Sequence, residues 1–214
     1  MSSSTLYKLS GGALMIGGLL AAIGSLLEAF VTDPLSPLWL LAVVPLFIGA
    51  LFVLVGLPAL YIRQVVKMGT LGLVGFVLLF VGQAIVGIGG GVVDLVALPW
   101  LATVGPHLLN SAPPPAGIVY FLAGIVLLLL GSIMFGIATL RAGILPRGAV
   151  ILLLVSLALN FLKAIPYLGS LSLVVFYVAF IWFGYALVAS SRTVQETQPA
   201  SAPGEKEEAT ASSS

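Results

Sequence analysis

The sequence predicts an all-α protein: a polytopic transmembrane bundle of six helices with both termini in the cytoplasm. Three observations carry that expectation. The chain is 60% hydrophobic and only 7% charged, against about 25% charged for a soluble domain. Eight basic and seven acidic side chains cannot clothe the surface of 214 residues, so the medium over most of that surface is lipid. Several apolar runs also exceed the roughly 18 residues that mark a membrane span. Finally, the Lys and Arg residues near the run ends fall on one side if the chain crosses six times.

The expected first span covers 10–31, an uncleaved helix: its apolar run is longer than a signal-peptide core and no small-x-small cleavage site comes after it. Thr32-Asp33-Pro34 and Ser36-Pro37 end it and open the second span, 38–61. Pro45 and Pro58 lie inside that span and predict kinks, not termination. The third span is expected at 70–88. Residues 92–104 are apolar but interrupted by Asp94 and Pro99, which reads as an interfacial helix with Trp100 at headgroup level, the alternative being an extension of the third helix. Pro113-Pro114-Pro115 precedes the fourth span, 116–140, with proline in the first turn where its missing N–H costs little. The fifth and sixth spans are expected at 148–165 and 168–190, separated by a tight turn at Pro166. Inside lipid each backbone polar group must be bonded within its own segment, which helices achieve. The runs do not alternate as a β-barrel would require. Residues 191–214 are rich in Ser, Ala, Thr, Pro and Glu and predict a disordered acidic cytoplasmic tail.

The basic residues set the orientation. Lys8, Arg63, Lys67, Arg141, Arg147 and Arg192 all lie on one side of a six-span chain, which is then the cytoplasmic side. Tyr7, Tyr61 and Tyr185 mark the inner interface, and Trp39, Trp100, Tyr120 and Tyr167 the outer one. Spans two–three and four–five share a short basic turn ending in Gly, a faint internal likeness that the topology rule explains as well as a repeat does. The turn Thr139-Leu140-Arg141-Ala142-Gly143-Ile144-Leu145-Pro146-Arg147-Gly148 resembles one found in small polytopic bacterial membrane proteins of unknown function. That resemblance implies a bacterial plasma membrane and carries no activity, site or cofactor.

Several chemistries are excluded by composition. With no cysteine there is no disulfide, thiolate metal site or cysteine nucleophile, and one histidine, His107, cannot build a multi-histidine metal centre. No basic patch exists for nucleic acid. No cofactor motif is present: Gly87-Ile88-Gly89-Gly90-Gly91 comes after a helix instead of a strand and lacks the spacing of a phosphate loop.

Polar side chains inside spans are costly and call for explanation. Glu28, Gln83, Ser156, Asn160 and Lys163 are the candidates for a polar cavity in the outer half of the bundle. At 1.5 Å per residue, Gln83 and Asn160 lie about 18–20 Å, and Lys163 and Glu28 about 22–27 Å, from the inner edge of their helices. Ser156, Asn160 and Lys163 share one helix face, and a Glu28–Lys163 pair would neutralise both charges. The competing reading has Glu28 and Lys163 reaching into headgroups and the amides bonding between helices as packing glue. Ala13, Gly17, Ala21 and Ser25 form a small-residue stripe on the first helix. It lets another backbone approach, in the same chain or, alternatively, in another membrane protein or a second copy. Asp94, His107 and Ser111 can be drawn as a triad, but lone residues at arbitrary spacing are weak support for one. The expected function is that of a structural or interaction component of the membrane, with a small-solute or ion transporter or channel as the alternative and a membrane enzyme third.

Overall fold

The computed structural model describes residues 3–31, 33–161 and 168–196. The chain is all-helical, with no strand among these residues. Four described helical stretches are long and apolar enough to cross a membrane: Thr5–Glu28, Pro37–Val104, Pro115–Ala142 and Gly169–Ser190. Arg147–Asn160 is a shorter apolar helix. Their outward faces are greasy. Val66 is 94% exposed, Phe30 74% and Val55 69%, a surface that water would not tolerate over such an extent.

Helix α1 is Ser3–Glu28. It begins earlier and stops three residues sooner than the expected 10–31, because Asp33 and Ser36 build the next turn. Leu35 N donates to Asp33 Oδ1 at 3.0 Å, and Leu38 N donates to Ser36 Oγ at 3.3 Å. Ser36 thereby caps a helix whose first residue is Pro37, where proline loses nothing.

That helix runs from Pro37 to Gln83 with helical dihedrals everywhere except Gly69, at φ 59° and ψ −164°. A side chain would be strained there, so glycine supplies the turn. We number its arms α2 (37–68) and α3 (70–104). They run antiparallel: Tyr61 stacks on Phe76 with ring centroids 4.9 Å apart, Gly87 approaches Ala50, and Gly91 approaches Phe47. Farthest from the turn, Trp39 Nε1 donates to Asp94 O at 2.9 Å. Pro45 and Pro58 are carried inside α2 without ending it. The expected end at residue 61 is therefore too early.

The interfacial reading of 92–104 is also corrected: these residues continue α3. The continuation passes through π-helical turns at Ala84–Gly89 and Val93–Ala97 before the final α-helical Leu98–Val104. Asp94 and Pro99 do not interrupt it. Pro99 falls in the first turn after a π segment, where the register of backbone bonding has already shifted.

A short 3-10 segment, Pro106–Asn110, precedes α4, Pro115–Ala142. Gly143, left-handed at φ 65°, ends α4 with its N–H donating to Thr139 O at 3.1 Å, the usual glycine stop. Helix α5 is Arg147–Phe161 and α6 is Leu168–Glu196. The expected end of the fifth helix at 165 and the Pro166 turn lie outside the described residues. Helix α6 extends past 190 to Glu196, so 191–196 are helical where a tail is expected, and residues 197–214 lie outside the described residues.

Among the described residues these six helices close a ring in which every neighbour is antiparallel. Gly17 and Gly49 bring α1 against α2, and Gly82 and Gly131 bring α3 against α4. Gly136 sits by Val150 and Leu154 of α5, Gly148 by Trp182 of α6, and Gly11 by Gly184 to join α1 to α6. The stripe is used inside the chain: a Cβ on Gly17 would lie 2.7 Å from Gly49 O, while Ala21 and Ser25 are buried and Ala13 is half-buried.

Alternation places the start of α1, the Gly69 turn and the Gly143 turn at one end. That end carries Lys8, Arg63, Lys67, Arg141 and Arg147. Arg63 lies over the Tyr7 ring, 5.6 Å from its centroid, a favourable cation–aromatic arrangement. The adjoining half is tightly filled. Leu57, Leu60, Phe135, Leu153, Phe180, Phe183 and Leu187 have no exposed surface.

Candidate functional site

The opposite half is not filled. It holds a partly open cavity of about 570 Å³ whose wall takes side chains from all six helices. Glu28 comes from the last turn of α1 and Leu46 from α2. Gln83, Val86, Gly87, Gly91 and Asp94 come from α3, and Ile125, Leu128 and Leu129 from α4. Helix α5 gives Ser156, Leu157 and Asn160, and α6 gives Ser170, Ser172, Phe176 and Tyr177 among others.

The α3 wall is built by the π-helical turns. A π turn widens the helix and re-aims the side chains beside it, and such turns recur at functional sites. Here they carry Val86, Gly87 and Asp94. Gly87 leaves room for Gln83, since a Cβ there would sit 2.7 Å from Gln83 Nε2. Gln83 is 1% exposed, and its Nε2 finds no hydrogen-bond partner among the described residues. The buried Tyr177 lines the same cavity.

On the α5–α6 side the polar groups satisfy one another. Asn160 Nδ2 donates to Ser172 Oγ at 3.3 Å, and Ser172 Oγ donates to Gly169 O at 2.7 Å. Ser156 Oγ turns back to Leu153 O at 2.6 Å. Glu28 and Asp94 are near enough for their charges to interact. No basic side chain lines the wall among the described residues.

Of the five residues singled out for a polar cavity, Glu28, Gln83, Ser156 and Asn160 line this one. Lys163, and with it the Glu28–Lys163 pair, lies outside the described residues. Asp94 is not among the five, although the rule that flags Glu28, a charge inside an apolar run, applies to it equally. Ser172, Phe176 and Tyr177 carry no such signal, being ordinary members of an apolar helix.

The Asp94–His107–Ser111 triad is not assembled. Asp94 lines the cavity, whereas His107 and Ser111 are exposed on the 3-10 segment and its end, with Ser111 Oγ donating to Leu108 O at 2.7 Å. Among the described residues no three His, Cys, Asp or Glu side chains gather as metal ligands.

No protein-family model matches the chain, and neither a curated protein nor a solved structure matches it.

Proposed function

We propose that this protein is a small-solute carrier of a bacterial plasma membrane, crossing it six times with both termini on the cytoplasmic side. One observation carries the reading: a cavity of about 570 Å³, walled by all six helices, is lined by two carboxylates and by the buried amide of Gln83, whose Nε2 has no partner among the described residues. Ligand sites in helical bundles have this size and this mixture of apolar wall and few polar groups. The structural or interaction role expected from the sequence loses one of its supports, because Gly17 and Ala21 of the small-residue stripe pack against Gly49 of α2. In a six-crossing arrangement α2 and α3 are separate spans, each well above the roughly 20 residues needed. The five basic residues of the Gly69 and Gly143 end then face the cytoplasm.

The binding claim is tested by thermal stabilisation of the detergent-purified protein with a panel of small amines, amino acids, sugars and carboxylates. At least one class should raise the melting temperature of the wild type and not of Ser170→Trp, which fills the cavity. A panel without any such response would remove the reading. Orientation is tested on a chain that contains no cysteine. Single cysteines at Leu35 or Ser111 should react with a membrane-impermeant maleimide on intact cells, and one at Val66 should not; the reverse pattern would invert the topology.

A further inference from the structure

We infer that the cavity takes a small organic monocation of the ammonium type that also carries a hydrogen-bond acceptor. The inference rests on the small-solute reading and names its ligand class.

Two carboxylates, Glu28 and Asp94, reach the same cavity from different helices and stand within range of each other's charge. Charges withdrawn from water are tolerated when an opposite charge meets them. None lines the wall among the described residues; a cationic ligand would supply one to both groups. An inorganic divalent ion fits poorly. It needs about six close oxygens, and no third ligating side chain joins the pair among the described residues. The space is also that of an organic molecule.

The rest of the wall agrees. Phe176 and Tyr177 line the same cavity as the carboxylates, and a substituted ammonium is held by aromatic faces as well as by charge. The α4 side, Ile125, Leu128 and Leu129, is apolar and suits the carbon substituents such a cation carries.

The acceptor requirement comes from a separate observation. Gln83 is almost wholly buried, faces the cavity across Gly87, and leaves its amide Nε2 unbonded among the described residues. A buried donor without a partner is unfavourable. A carbonyl, ether or hydroxyl oxygen on the ligand would complete it.

The probes are acetylcholine, which has both features, and 3,3-dimethylbutyl acetate, its uncharged carbon isostere. Both are titrated calorimetrically into the full-length protein in lipid nanodiscs. The wild type should bind acetylcholine at least about tenfold more tightly than the isostere. Glu28→Gln and Asp94→Asn should each erase most of that preference without weakening the isostere. Gln83→Leu should weaken both compounds by a similar factor. The wild-type comparison needs no variant, so a misfolded mutant does not spoil it. Equal binding of the two probes, or a hit elsewhere in the solute panel with no preference for the cation, overturns the ligand class and leaves the solute site standing. If neither probe nor any panel member binds, the ligand class and the carrier reading fall together.

Discussion

Gln64 and Gln83 sit on the two arms of one hairpin, both shielded from solvent, yet their surroundings differ. Gln64, near the Gly69 turn, donates from Nε2 to Leu60 O one turn back at 3.1 Å, while its Oε1 has no partner among the described residues and is shut in by the close-packed side chains of the basic end. Gln83, in the opposite half, turns toward open space with its Nε2 unmatched. The same residue type is thus internal glue in one place and a waiting donor in the other. The difference teaches that polarity within a span is not itself a functional mark. What distinguishes the two is whether the surrounding helices have closed over it. At the basic end large side chains fill the centre of the ring. At the other end the α3 helix opens into π turns, and the filling residues give way to serines, an asparagine and two carboxylates.

If one half is built for packing and the other for binding, substitutions should divide accordingly. The largest expected effect is in the packed half. Phe135→Ala or Phe180→Ala should cost about 3–5 kcal/mol, while Leu129→Ala on the cavity wall should cost about 1 kcal/mol or less, because it enlarges a space already present. Melting in mild detergent measures both, and similar losses at the two sites would dissolve the distinction. Next comes Gly131→Val. A Cβ there would overlap the backbone at Leu78 and Leu79, so about 3 kcal/mol and a parting of α3 from α4 are expected. Retention of wild-type stability would mean that the two helices do not approach as described. Smaller is Gly69→Ala, at about 1–2 kcal/mol. Nothing crowds this position, so its strained dihedrals alone set the loss. Gly12→Ala, equally uncrowded but helical, is the control and should be neutral or slightly stabilising. The smallest effect on stability is expected at Gln83→Leu, within about 0.5 kcal/mol, because an unmatched buried amide is replaced by an apolar group of similar size. A large loss there would make Gln83 a structural residue and return the cavity to the packing category.

Much of this architecture can be read from the chain. The cost of polar groups in lipid makes Glu28, Gln83, Ser156 and Asn160 visible, and helix rise places them in the half that holds the cavity. Proline and Asp33-to-Ser36 chemistry mark the break between α1 and α2. The far end of α3 is misread because Asp94 and Pro99 look like stop signals when α-helical periodicity is assumed. A π turn accommodates both without ending the helix, and no residue pattern announces it. That misreading hides Asp94 from the site by assigning it to the membrane surface. The faint likeness between the two basic turns has a structural counterpart in Gly69 and Gly143, each with positive φ, but their dihedrals differ, ψ −164° against 20°. They are different turns serving the same reversal.

The ring has one further property, which concerns time. Among the described residues every helix leans on its predecessor in the chain, and the most extensive pairing of distant segments is α1 with α6, along Gly11, Gly18 and Gly184. A ribosome delivering the helices one by one would build an arch first, with the groove of α1 bare. The last helix is the keystone, completing the walls with Phe176 and Tyr177 only after everything else is in place. Synthesis halted before Leu168 would leave a stable-looking span of five helices that encloses nothing.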